Sequence, residues 1–204
     1  GIIVPPKGYL KEVRELCDKH GVLMILDEIQ TGLGRTGKLF AADLEGVVPD
    51  IMCLAKSLGG GIEPVGAYIT KPDIWDKAYG TMEKALLHTS TFGGNARASA
   101  AVIASINYIL ANDLSEEAAQ KGEYFLKELK QFEKQYDLVK EVRGKGLMIG
   151  IEFNQPDPGL LDRISGGLVS KFSAEYMGAM VAGSLNNDYQ IITAYTLNNP
   201  NVIR

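Results

Sequence analysis

The chain has 204 residues, 46% of them hydrophobic and 23% charged, and its 21 basic and 25 acidic side chains leave a net charge of −4. That composition suits one or two globular domains with a core of ordinary size. No Lys/Arg-rich block points to nucleic acid or to an anionic membrane surface, and no run of about eighteen apolar residues is available to span a bilayer.

The opening segment, Gly1-Ile2-Ile3-Val4-Pro5-Pro6, lacks both an initiator Met and the basic-then-apolar layout of a signal peptide. The closing segment, Asn201-Val202-Ile203-Arg204, reads as a strand running outward with no turn or cap after it, so both ends are expected to be cuts through a longer protein. Pro5-Pro6 precedes an amphipathic run from Tyr9 to His20, with Leu10, Val13, Leu16 and Cys17 on one face and Gly21 as a stop. Val22 to Leu26 is a short unbroken apolar run, expected to be a strand buried on both faces, and it ends in Asp27-Glu28. A Gly-rich loop follows, from Thr31 to Gly37.

Ile51 to Leu54 predicts a second strand, met at once by Lys56 and the glycines Gly59-Gly60-Gly61, and Val65 to Ile69 predicts a third. A polar loop from Thr89 to Asn95 leads into an Ala-rich helix from about Ala96 to Leu110. Alternating helix and strand indicate an α/β domain. Beyond Leu114 the texture changes to a charged helix (Ser115 to about Tyr136), strands near Leu138–Val142 and Leu147–Phe153, a helix over roughly 159–182, and the segment Tyr189–Tyr195. This reads as a smaller, incomplete α+β domain, with residues 1–113 and 114–204 as the two parts. Cys17 and Cys53 fall in a predicted helix and strand, which argues against a disulfide framework and for a cytoplasmic protein.

Ligands of open α/β sheets sit at the carboxyl ends of the strands. Asp27 ends one predicted strand and Lys56 stands just past the next, so a carboxylate and an amine share an edge if both strands belong to one sheet. Taken singly, Asp27 reads equally as a loop-starting acid and Lys56 as an exposed strand-end lysine. The segment Leu26-Asp27-Glu28-Ile29-Gln30-Thr31-Gly32-Leu33-Gly34-Arg35-Thr36-Gly37 resembles the signature of the class III aminotransferases. Asp50 to Gly61 is similar to that family's Schiff-base lysine segment, and His88-Thr89-Ser90-Thr91-Phe92-Gly93-Gly94-Asn95 resembles its third motif.

The resemblance implies part of a fold-type I transferase: a large domain with a mostly parallel sheet, then an incomplete small domain. It implies pyridoxal 5'-phosphate as cofactor, with Lys56 as the catalytic Schiff-base lysine and proton carrier. Asp27 is implied to hold the proton on the ring nitrogen. A pair about 4 Å apart at an effective dielectric near 20 interacts by roughly 4 kcal/mol before desolvation. Gln30 is implied to bond the phenolic oxygen, and Ile29 to pack on a ring face, though a core isoleucine at a strand end reads the same way. Ser90 and Thr91 are implied to bind the phosphate of a neighbouring subunit in a homodimer or higher oligomer; alone they would be an ordinary turn. Arg204 resembles the arginine that grips the substrate carboxylate, a task suited to the guanidinium fork. Arg35, His20 and His88 are given no catalytic part, and no metal site is expected.

The implied activity moves an amino group from putrescine, ornithine or acetylornithine to an oxo-acid. The alternatives are a pyridoxal-phosphate aminomutase or decarboxylase of the same family, a piece with only a folding or dimerisation role, and a nucleotide-binding α/β domain. Against the last, no G-x-G-x-x-G or P-loop lies between a strand and a helix. The family's phosphate-binding turn, stacking aromatic and arginine-pairing glutamate are not in these 204 residues, so the piece alone is expected to be inactive.

Overall fold

The computed structural model describes residues 1–154 and 168–204, with the side chains of 168–176 outside that description. The chain divides into two compact units, one formed by Pro5–Ala119 and the other by Gly1–Val4 with Gln120–Arg204.

In the first unit, helix α1 (Tyr9–His20) stops at Gly21, whose φ of +62° forms a left-handed cap that a Cβ would strain. Its first turn is capped from a distance. Glu45 accepts the N–H groups of Gly8, Leu10 and Lys11, and these donors, Gly8 foremost, hold its carboxyl below the ordinary carboxylate range. Strands β1 (Ile25–Asp27), β2 (Ile51–Leu54) and β3 (Ala67–Thr70) form a sheet in that order. β1 and β2 run parallel, with Asp27 opposite Cys53, and β3 runs antiparallel to β2. Helix α2 (Pro72–Tyr79) follows, and α3 (Ala96–Ala111) starts where the Asn95 side chain accepts the Ala98 N–H at 2.9 Å.

The core of this unit is Leu33, Leu54, Leu58 and Ile109, with Leu39, Phe40, Val102 and Ile106 packed around it. It therefore joins the Gly-rich loop, the end of β2, the turn after it and α3. The expected burial of the first strand on both faces is not met: only Ile25–Asp27 is strand, and Val22, Leu23 and Ile25 are more than half exposed. β1 is an edge strand of a three-stranded sheet, and a both-face apolar run stays exposed where no layer covers it.

Helix α4 (Leu114–Leu129) starts in the first unit and ends in the second. The predicted single helix to Tyr136 is broken, and a short α5 (Phe132–Gln135) is set apart from it. The break lets Glu133 accept the Val142 N–H at 2.6 Å, a bond to a strand that a straight helix would not reach. Strands β4 (Val139–Lys145), β5 (Met148–Phe153), β6 (Tyr195–Thr196) and β7 (Asn199–Ile203) make an antiparallel sheet of order β4-β5-β7-β6. Helix α6 (Leu168–Tyr189) packs on β7, and Gly178 is what permits it: a Cβ there would lie 1.9 Å from the Pro200 carbonyl oxygen. Residues 159–167 of the helix expected over 159–182 lie outside the described residues.

The first four residues belong to this second unit through Arg143. Its guanidinium donates to the Ile2 and Gly1 carbonyls at 2.6 and 3.1 Å and pairs with Glu141 and Glu152.

Candidate active site

Because β1 and β2 are parallel neighbours, their carboxyl ends share one edge, and the Glu28 N–H donates to the Cys53 carbonyl at 3.0 Å just past β1. Asp27 closes β1 at that edge and is exposed. One of its carboxyl oxygens accepts the Ile29 N–H at 3.0 Å, which fixes the side chain and leaves the other oxygen available to a second donor. Ile29 is half-buried and Gln30 exposed directly after it.

Lys56 follows β2 by two residues and opens a 3₁₀ turn, Lys56–Gly59. Its φ is +51°, a left-handed conformation uncommon for a side chain of this kind. Its side chain is exposed. The turn is held from behind: the Ser105 hydroxyl of α3 donates to the Ser57 carbonyl at 2.9 Å, and Leu58 is buried in the core. A turn held on one side thus presents an exposed amine on the other. Lys56, Asp27, Ile29 and Gln30 are therefore brought to one sheet edge.

Ser90 and Thr91 lie in an exposed loop braced by Gly93 N–H to Ser90 O (3.1 Å) and by the Asn95 amide to Phe92 O (2.7 Å). Ser90 lines an open groove of about 830 Å³ whose walls include Leu54, Val65, Phe92, Val102 and Ile106. Neither Asp27 nor Lys56 lines that apolar groove. Arg204 belongs to the second unit, where its backbone pairs with Ala194 in both directions, at 2.8 and 3.1 Å.

The opposite end of β2 is held by charge. Asp50 is buried, pairs with Arg14 and with Lys71 at 2.7 Å each, and accepts the Met24 N–H at 2.8 Å. The Lys71 ammonium, with the Met24 N–H and the Arg14 guanidinium, holds its carboxyl far below the usual carboxylate range. Asp50 thus locks α1, β1, β2 and the corner after β3 at the amino ends of the strands.

The description aminotransferase class-III fits residues 1–181 as a family model. The chain belongs to the class-III aminotransferases. Solved structures agree with that membership. An acetylornithine aminotransferase from Elizabethkingia anophelis superposes with a TM-score of 0.81 at 35% identity, over 100% of this chain and 47% of that one. An ornithine aminotransferase from Toxoplasma gondii ME49 gives 0.81 at 33%, over 98% and 42%. A thermostable (S)-enantioselective omega-transaminase from Thermomicrobium roseum gives 0.83 at 33%, over 100% and 42%. The chain thus spans about half the length of the structures it matches. Its mixed α/β architecture is that of part of a fold-type I transferase.

The donor set at the edge fits pyridoxal phosphate, the cofactor that class-III aminotransferases use. An amine suits an aldehyde, a carboxylate suits a protonated ring nitrogen, and an amide suits a phenolic oxygen without titrating. Sequence reasoning did not single out Asp50 or Ser105. Asp50 did carry a signal, a carboxylate immediately before an apolar strand, but its partners lie 36 and 21 residues away and could not be read locally. Ser105 looks like any small residue of an Ala-rich helix. Among the described residues no helix is long and apolar enough to cross a membrane, and no group of three or more His, Cys, Asp or Glu could hold a metal.

Proposed function

We propose that the full-length protein is a pyridoxal-phosphate-dependent aminotransferase that moves the terminal amino group of a diamine or amino acid to an oxo-acid. Putrescine, ornithine and acetylornithine are the donors we favour, since solved ornithine and acetylornithine aminotransferases resemble the chain at 33–35% identity. The observation that carries the reading is the placement of Asp27 and Lys56 at the carboxyl ends of adjacent parallel strands.

Pyridoxal phosphate, when bound, supplies an electron sink for negative charge at the substrate carbon. Lys56 Nζ is the amine that would hold the cofactor through its aldehyde, and as a free amine it would move the proton at the substrate carbon. The second oxygen of the Asp27 carboxylate would keep a ring nitrogen protonated. Gln30 would hydrogen-bond the phenolic oxygen, and Ile29 would supply an apolar contact to the ring. Ser90 and Thr91 offer hydroxyl groups to the phosphate of a neighbouring subunit, which makes the working enzyme a homodimer or higher oligomer. Arg204 takes the substrate carboxylate. In this reading residues 1–113 serve the cofactor domain and 114–204 the small domain of a cytoplasmic enzyme.

The test is borohydride reduction of the full-length protein with pyridoxal phosphate, followed by assays of the three amines with 2-oxoglutarate. A stoichiometric pyridoxyl adduct on Lys56 and turnover of at least one amine are expected. An adduct without turnover of any of the three amines would overturn this choice of donors but not the class, and product analysis without an added oxo-acid would then separate an aminomutase or decarboxylase from a transaminase. No adduct would reject the reading altogether. The 204-residue chain alone, which lacks about half of its relatives' length, is expected to give no stoichiometric adduct.

A further inference from the structure

Glu28 lies between the residues proposed to meet the cofactor, yet it is 4% exposed. A carboxylate removed from water to that extent is costly unless donors replace the solvent. Glu28 has three. One oxygen accepts the Ala42 N–H at 2.9 Å, and the other accepts the Ala41 N–H at 3.1 Å together with the Thr31 hydroxyl. Ala41 and Ala42 open the 3₁₀ turn Ala41–Leu44, whose first N–H groups have no partner within the turn. The Glu28 main chain is equally committed: its N–H goes to Cys53 O at 3.0 Å and its carbonyl accepts the Gly32 N–H at 2.9 Å. Gly32 passes so near that a Cβ would lie 2.8 Å from that carbonyl oxygen. The Gly-rich loop leaves the sheet edge at Gln30 and is fastened back to it, through Glu28, at Thr31, Gly32, Ala41 and Ala42.

We propose that Glu28 is a positioning residue whose carboxylate staples the loop spanning residues 31–42 to the end of β1 and thereby sets where Asp27, Ile29 and Gln30 stand. Glu28 is the chain neighbour of both Asp27 and Ile29, so the grip on its side chain and main chain limits the backbone freedom of both. The bond from Ile29 N–H to Asp27 passes any rotation of Glu28 directly to the Asp27 carboxyl. The inference rests on the functional reading above.

The test uses the full-length holoenzyme and reads cofactor dissociation and the pH titration of the bound cofactor's visible absorbance, alongside thermal stability. Glu28→Asp keeps the charge but is one methylene too short to reach both Ala41 and Ala42. Glu28→Gln keeps the reach but turns a donor toward one of three donors. Each is expected to raise the cofactor Kd by about tenfold or more, the scale on which loss of a supporting partner weakens a ligand site, and to move the absorbance titration. Thr31→Val should act in the same direction with a smaller effect, and Thr31→Ser, which retains the hydroxyl, should restore wild-type values. Should the Glu28 variants fail to fold, the Thr31 pair decides. Lower stability with an unchanged Kd and titration, or Thr31→Ser as harmful as Thr31→Val, would overturn the inference. A wild-type protein with no cofactor absorbance would overturn the functional reading and this one with it.

Discussion

Replacing Lys56 with glycine is expected to make the cofactor-free protein more stable than the Lys56→Ala protein, while both lose transamination. Lys56 sits at φ +51°, where an L side chain costs about 1–2 kcal/mol relative to glycine. Glycine loses roughly 0.5–1 kcal/mol of this through its greater freedom in the unfolded chain. The exposed lysine side chain has no packing to forfeit, so a net gain of about 0.5–1 kcal/mol remains. Alanine retains the strain and should match the wild type within about 0.5 kcal/mol. Activity should fall by at least about 10²-fold in both, the lower end of what a positioned acid–base group contributes. Urea unfolding of the full-length protein after removal of cofactor, set beside the transamination rate, checks both halves. Glycine no more stable than alanine would show that the left-handed backbone at Lys56 stores no strain.

α1 was readable to the residue because its boundaries depend on local features: an apolar face that repeats every three or four residues and a glycine suited to a left-handed stop. The start of α3 was readable for the same reason, since Asn95 caps it. The shared edge of Asp27 and Lys56 was legible only as a condition. Periodicity identifies strands but not their neighbours, and the parallel pairing of β1 and β2 supplied the missing step. Features fixed by long-range contacts were not legible. Glu28 is a polar residue in a polar loop until Ala41 and Ala42 are folded onto it. The first four residues carry no local signal of a partner, yet they lie against β5, where a Cβ on Gly150 would come within 2.9 Å of Ile2. The break after α4 goes with the bond between Glu133 and Val142, to which helix propensity is blind.

Asp50 shows how such a contact reaches the edge that carries Asp27 and Lys56 from the other end of the sheet. Asp50→Ala is expected to destabilise the protein by about 3 kcal/mol, the lower end for removing one partner of a buried ion pair. The lower end applies because the cations are not stranded: Arg14 retains Asp18 at 2.6 Å, and Lys71 is half exposed to water. Asp50→Asn should cost less, since its amide oxygen can still accept the Met24 N–H. The sign of the pH dependence follows from the depressed carboxyl. An unfolded aspartate titrates near 3.9, and the folded one titrates lower because Lys71, the Met24 N–H and Arg14 favour its charge. Its contribution is therefore complete above the unfolded value and is lost as pH falls through the folded one. The stability gap between wild type and Asp50→Asn, measured by urea unfolding, should stay constant from pH 7 to about 5 and close on further acidification. A gap that persists undiminished as the protein nears acid unfolding would mean that the ion pairs do not hold the strands. Since Asp50 fixes the start of β2 against β1, its loss should also loosen the register that sets Asp27 opposite Cys53 and places Lys56 beyond it.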